Sequence, residues 1–93
     1  ACFDLGHKAV AADKPLPRVR FFGHENAEAL VHSEEHLMLE GASMEGLQVG
    51  DCCYGVPAHI CPTVALHDHA CVVQEGKAVG LWDIAARRRS LGV

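Results

Sequence analysis

Two apolar runs, Ala70-Cys71-Val72-Val73-Gln74 and Ala78-Val79-Gly80-Leu81-Trp82-Asp83-Ile84, flank Glu75-Gly76-Lys77. Apolar runs on either side of a tight turn containing glycine fold as a β-hairpin, because glycine supplies the backbone conformation such a turn needs. The rest of the chain is built the same way, from short apolar runs and breakers. Arg18-Val19-Arg20-Phe21-Phe22 alternates polar and apolar and stops at Gly23, the period of a strand with one face buried. From Leu30 to Glu40, Leu30-Val31 and Leu37-Met38-Leu39 flank Ser33-Glu34-Glu35-His36. Glu-Glu-His has helical propensity, but the brevity of the segment and the stop at Gly41 favour strand. Cys52 to Val56 reads as a short strand after a turn at Gly50-Asp51. Ala1 to Ala12 reads as two strand pieces kinked at Gly6, where a bulge or a close backbone approach is expected. Asp13 to Pro17 is a loop. The expected class is therefore all-β, a small β-barrel or sandwich with short helical turns.

Ninety-three residues make one domain at most. A core this thin commonly leans on a metal, a partner or a parent polypeptide. The net charge of −4 argues against a phosphate-binding surface, so nucleic acid is not an expected partner. The one basic cluster, Arg87-Arg88-Arg89, reads as a solvated tail or a salt-bridged strand end. The five cysteines are odd in number and include the neighbours Cys52-Cys53, whose side chains alternate across a strand. With no visible signal peptide and no apolar run of about 18 residues, the expectation is reduced thiols, a cytoplasmic location and no membrane partner. The chain starts with alanine, which suggests processing or a piece of something longer.

Chemistry concentrates in Val56-Pro57-Ala58-His59-Ile60-Cys61-Pro62-Thr63-Val64-Ala65-Leu66-His67-Asp68-His69. Three of the seven histidines and two of the four prolines lie here. His59 and Cys61 are two apart, and in an extended chain side chains two apart share a face. An imidazole nitrogen and a thiolate sulfur held that way can grip a borderline ion such as zinc. The same spacing also describes a buried cysteine beside a polar loop histidine. Pro62 cannot donate to a strand ladder and suits the first position of a short helix or turn. The expected local form is a strand ending in a two-residue bite, followed by a bend. His67, Asp68 and His69 are candidates for a further ligand or an acceptor behind one. Trp82 is expected in the core, and Arg87 is expected to pair with an acid.

Five blocks in order carry a resemblance: Asp4-Leu5-Gly6-His7-Lys8, Ser33-Glu34-Glu35-His36, Gly50-Asp51, Pro57-Ala58-His59-Ile60-Cys61-Pro62-Thr63 and Trp82-Asp83-Ile84-Ala85-Ala86-Arg87. Together they resemble the C-terminal β-domain of the D-threonine aldolase and D-serine dehydratase family, over nearly the whole chain. The resemblance implies that residues 1–93 form a single C-terminal β-domain. It implies, too, an N-terminal α/β barrel of the same enzyme carrying pyridoxal phosphate, a homodimer, and a small D-amino-acid substrate. Metal ligation by His59 and Cys61 follows from the same likeness, with zinc or manganese as the ion, as does lyase chemistry on D-3-hydroxy amino acids. The aldolase branch, cleaving D-threonine to glycine and acetaldehyde, is the nearer likeness. D-serine dehydration and a free-standing, non-catalytic metal-binding β-module are the alternatives. The Schiff-base lysine belongs to the barrel in that family, so Lys8 is not assigned its role, no catalytic residue is assigned here, and the 93 residues alone are expected to be inactive.

Overall fold

The computed structural model describes residues 1–92. Seven strands follow one another: β1 (Cys2–Phe3), β2 (Val19–Phe21), β3 (Glu28–His32), β4 (Leu37–Glu40), β5 (Gly55–Pro57), β6 (His69–Gln74) and β7 (Lys77–Asp83). One five-residue helix, α1 (Ile60–Val64), sits between β5 and β6, and 3₁₀ turns cover Ala42–Met44 and Ala85–Arg87. Every pairing is antiparallel. The class is all-β, as expected. The strands form three small sheets, β1-β4-β3, β2-β5 and β6-β7, and do not close into a barrel.

The core lies at the first two sheets. Val19 and Phe21 on β2 face inward while Arg20 faces out, and Leu37 and Leu39 on β4 face inward while Met38 and Glu40 face out. This is the strict alternation of a strand with one buried side. These four residues join Val10 and Met44 in one cluster, with Phe3, Leu5, Ala27, Ala29, Leu47 and Cys53 packed around it. Phe3 stacks on Phe21 with ring centroids 5.1 Å apart.

Gly6 holds the N-terminal segment to this core. A Cβ there would stand 1.9 Å from the Glu34 carbonyl oxygen. The close approach lets the backbone N–H of His7 donate to Ser33 and that of Lys8 to Glu34. The second strand piece expected after Gly6 is instead a turn, because Ala9 and Val10 both donate back to the Gly6 carbonyl. Ser33 to His36 is likewise the turn of a hairpin, closed by the Ser33 N–H on the His36 carbonyl. The strand expected to begin at Cys52 begins at Gly55; Cys52 and Cys53 precede it.

The hairpin signal near the C-terminus is realised as β6 and β7. Glu75 and Gly76 both have positive φ, 50° and 76°, as the favoured two-residue hairpin turn requires. The register shifts at Val72/Val73. Trp82 is not core: it is 69% exposed, because β6 and β7 pair only with each other and neither face is covered among the described residues. Arg87 pairs with Asp68, and Arg88 with Asp83 at 2.5 Å.

His32 sits between two partners. Arg18 Nη1 donates to its Nδ1 at 3.1 Å, and its Nε2–H donates to the Leu5 carbonyl at 3.1 Å. This arrangement requires the neutral ring. Burial holds the imidazole below its ordinary value near 6.5, with repulsion from Arg18 and His7 adding to it against the Leu5 hydrogen bond. The unfolded chain therefore takes up this proton first, and the contribution of His32 is lost as pH falls below about 6.5. Urea midpoints should fall between pH 7 and pH 5.5, and the fall should be smaller in H32Q. Leu37 is 1% exposed, so Leu37→Ala should cost about 2–5 kcal/mol in urea unfolding, whereas Trp82→Ser should stay within about 0.5 kcal/mol.

Candidate metal centre

The pairing of β2 with β5 carries the chain from the core to His59. Val19 faces Pro57 and Phe21 faces Gly55, and the Ala58 N–H adds one more bond to the Arg18 carbonyl at 2.8 Å. Gly55 is required there, since a Cβ would meet the Val19 Cγ1 at 2.7 Å and the Arg20 carbonyl oxygen at 2.9 Å. His59 then leads into α1 with extended backbone, φ −138° and ψ 108°. Cys61 is already the second residue of the helix. The pair thus straddles a strand-to-helix junction, and the shared-face argument for an extended chain does not apply to it. Pro62 is the third helical residue rather than the first. The position is tolerated because the first four N–H groups of a helix lack partners within it.

The His59 side chain does not cap the helix. Its Nδ1 lies 2.5 Å from Asp13 Oδ2. The hydrogen bond from His59 holds the Asp13 carboxyl below its ordinary value, so the group is an ionised acceptor. An ionised carboxylate can only accept, so the His59 proton sits on Nδ1. In the neutral ring, Nε2 is then the nitrogen without a proton. Cys61 is a free, exposed thiol.

The other candidates are used elsewhere. His67 donates from Nε2 to the Ala9 carbonyl at 2.7 Å, Asp68 takes Arg87, and His69 Nε2 lies 3.8 Å from Asp83. Among the described residues no group of three histidine, cysteine or acidic side chains comes together as a metal cage. An open cleft of about 700 Å³ lies elsewhere, with Cys2, Asp4, Asp51 and Cys52 in its walls but neither His59 nor Cys61. Lys8 is held between Glu35 at 2.8 Å and Glu34 at 3.3 Å, which raises its pKa above the ordinary 10.5.

Asp13 is a partner with no signal in the sequence, where its stretch reads only as a loop. A sulfur–imidazole approach with no signal in the sequence lies elsewhere. Cys53 Sγ lies 3.9 Å from His24 Nε2, and His24 Nδ1 is buried without a hydrogen-bond partner.

The all-β architecture is of the class that the five sequence blocks pointed to. Comparison with known families makes the assignment: the chain belongs to the serine dehydratase domain family, whose profile matches residues 1–73. A curated relative, 3-hydroxy-D-aspartate aldolase of Paracoccus denitrificans strain Pd 1222, is 35% identical over 88 residues, covering 94% of this chain and 22% of that protein. A second 3-hydroxy-D-aspartate aldolase, from Paracoccus denitrificans, gives the same values. The chain thus spans about a fifth of the length of the curated relatives it matches. No solved structure matches.

Thr63 fastens the helix to the N-terminal segment. Its Oγ1 accepts the Ala11 N–H at 3.0 Å and donates to the His59 carbonyl at 2.8 Å. Thr63→Val keeps the shape and removes both bonds, so it should cost about 1–3 kcal/mol by urea unfolding.

Proposed function

We propose that this chain is the metal-carrying β-domain of a pyridoxal-phosphate-dependent lyase acting on D-3-hydroxy amino acids, with His59 and Cys61 as the protein ligands of one divalent ion. The observation that carries the reading is the state of His59: Asp13 occupies Nδ1 and leaves Nε2 free, two residues from an unpaired thiol. The donors fit such an ion, since one imidazole and one thiolate suit zinc, and a carboxylate in place of the thiolate would suit manganese or magnesium. Two protein donors leave coordination positions open, as catalytic sites do and structural zinc sites do not. When bound, the ion supplies a Lewis acid for the substrate hydroxyl, and pyridoxal phosphate, held by the N-terminal barrel, supplies an electron sink. This chain's residues orient and hold: Asp13 keeps the proton on His59 Nδ1, His59 offers Nε2, and Cys61 offers sulfur.

Cleavage of the Cα–Cβ bond is the favoured reaction, supported by the name of the two relatives. It makes 3-hydroxy-D-aspartate the first substrate to try and D-threonine the second. Dehydration of D-serine is the second reading, favoured by the description of the family. The barrel of the same enzyme is the proposed partner, in a homodimer. The uncovered apolar side chains of the last hairpin, Val73, Val79, Leu81 and Trp82, support a partner of some kind. Five free cysteines fit a reducing compartment, so we place the enzyme in the cytoplasm.

Zinc titration of the chain, read by competition with a chromophoric chelator, should show one site that disappears in His59→Gln and in Cys61→Ser. Stripping the ion should leave the urea midpoint nearly unchanged. A chain that unfolds on chelation would instead carry a structural ion, and the free-standing module would become the better description.

A further inference from the structure

The segment before β2 bonds at every second residue to α1 and the residues that flank it. The Ala9 carbonyl accepts from His67 Nε2–H at 2.7 Å. The Ala11 N–H donates to Thr63 Oγ1 at 3.0 Å. Asp13 Oδ2 accepts from His59 Nδ1 at 2.5 Å. Between the first two contacts, Val10 is 3% exposed in the core. The backbone that leads to Asp13 is therefore fastened to His67, beyond the helix, at Ala9, to the core at Val10 and to the helix at Ala11. An exposed acid on a free loop would give an ion pair worth little; this one is delivered to its partner by three preceding contacts. The Thr63 hydroxyl reaches the His59 carbonyl as well, at 2.8 Å, so one network sets both the backbone and the ring of His59.

We infer that Asp13 is a positioning residue for the metal pair: its carboxylate fixes the proton on His59 Nδ1 and so makes Nε2 the donor to the ion. The inference rests on the reading of His59 and Cys61 as ligands. It adds a residue to that site from a stretch with no metal-binding pattern of its own. A ligating histidine whose other nitrogen is held by a carboxylate has a fixed tautomer and ring orientation, and removing such a partner lowers metal affinity about 10–100-fold.

Two readouts on the 93-residue chain test it. In the metal-free protein, long-range ¹H–¹⁵N correlations of His59, assigned by their absence in H59Q, should show the proton on Nδ1. The Nε2-protonated form should gain population in D13A. Zinc affinity should fall about 10–100-fold in D13A, with D13E recovering part of the loss. D13N, which keeps an acceptor oxygen without the charge, serves as the second variant should D13A fold poorly, and it should fall between D13A and wild type. Wild-type His59 protonated on Nε2 overturns the inference. So does equal zinc affinity in D13A and wild type, and that outcome leaves the metal reading standing. A wild-type chain that takes up no zinc through His59 overturns the metal reading and the inference with it.

Discussion

The hydroxyl of Thr63 links the stretch around His59 to the segment that precedes β2. α1 has five residues and buries none of them, so it has no hydrophobic face to hold it in place. Helices of that length are not stable by themselves in water. The helix is set from outside, by the β2–β5 ladder on one side and by the Ala9-to-Asp13 segment on the other. Thr63 connects the two, taking the Ala11 N–H and giving its own proton to the His59 carbonyl. Val10, buried between Ala9 and Ala11, ties that segment to the core. The ring of His59 is therefore placed by the same core that folds the domain, although His59 itself lies outside it.

The parts of this arrangement that were legible in the sequence are the ones governed by local rules. The Glu75-Gly76 turn and the alternation in Val19-Arg20-Phe21 each rest on residues near one another in the chain. The close approach at Gly6 is marked by the glycine itself, although the backbone it meets, at Glu34, lies in the turn between β3 and β4. The class, all-β, follows from them. What was not legible depends on distance. Asp13 and His59 are 46 positions apart, and nothing local marks an acid in a proline-bounded loop as the partner of a histidine. Cys52 and Cys53 look like strand residues by composition, yet the ladder with β2 starts at Gly55, where the absence of a side chain lets the backbones close. Trp82 looks like core by size. Its exposure reflects the lack of any covering element, which no property of tryptophan could reveal.

The uneven distribution of apolar surface has the same root. Two sheets share one cluster around Leu37, while β6 and β7 form a ladder with no neighbouring strand among the described residues. A two-stranded ribbon is marginal in water unless it packs against something. Here it carries Val79, Leu81 and Trp82 into solvent. The chain spans about a fifth of its curated relatives' length, so most of the polypeptide in those relatives has no counterpart in these residues. A face of that kind is the expected appearance of a domain whose hydrophobic surface is completed by other chain.

The number of donors bears on how the proposed ion relates to folding. A closed four-donor site fuses ion and fold, because stripping the ion removes the cross-links that substitute for a core. In this domain the cluster of Val10, Val19, Phe21, Leu37, Leu39 and Met44 is already closed. His59 and Cys61 belong to none of it. An ion bound by these two side chains would draw its remaining ligands from outside the packed interior, and its loss would leave the packing that stabilises the domain in place. Asp13 supplies rigidity where the coordination sphere does not: it fixes one donor before any ion arrives, through a hydrogen bond whose partner is anchored by the core. In the proposed reading the packed interior holds the backbone, and the two donors stay outside it.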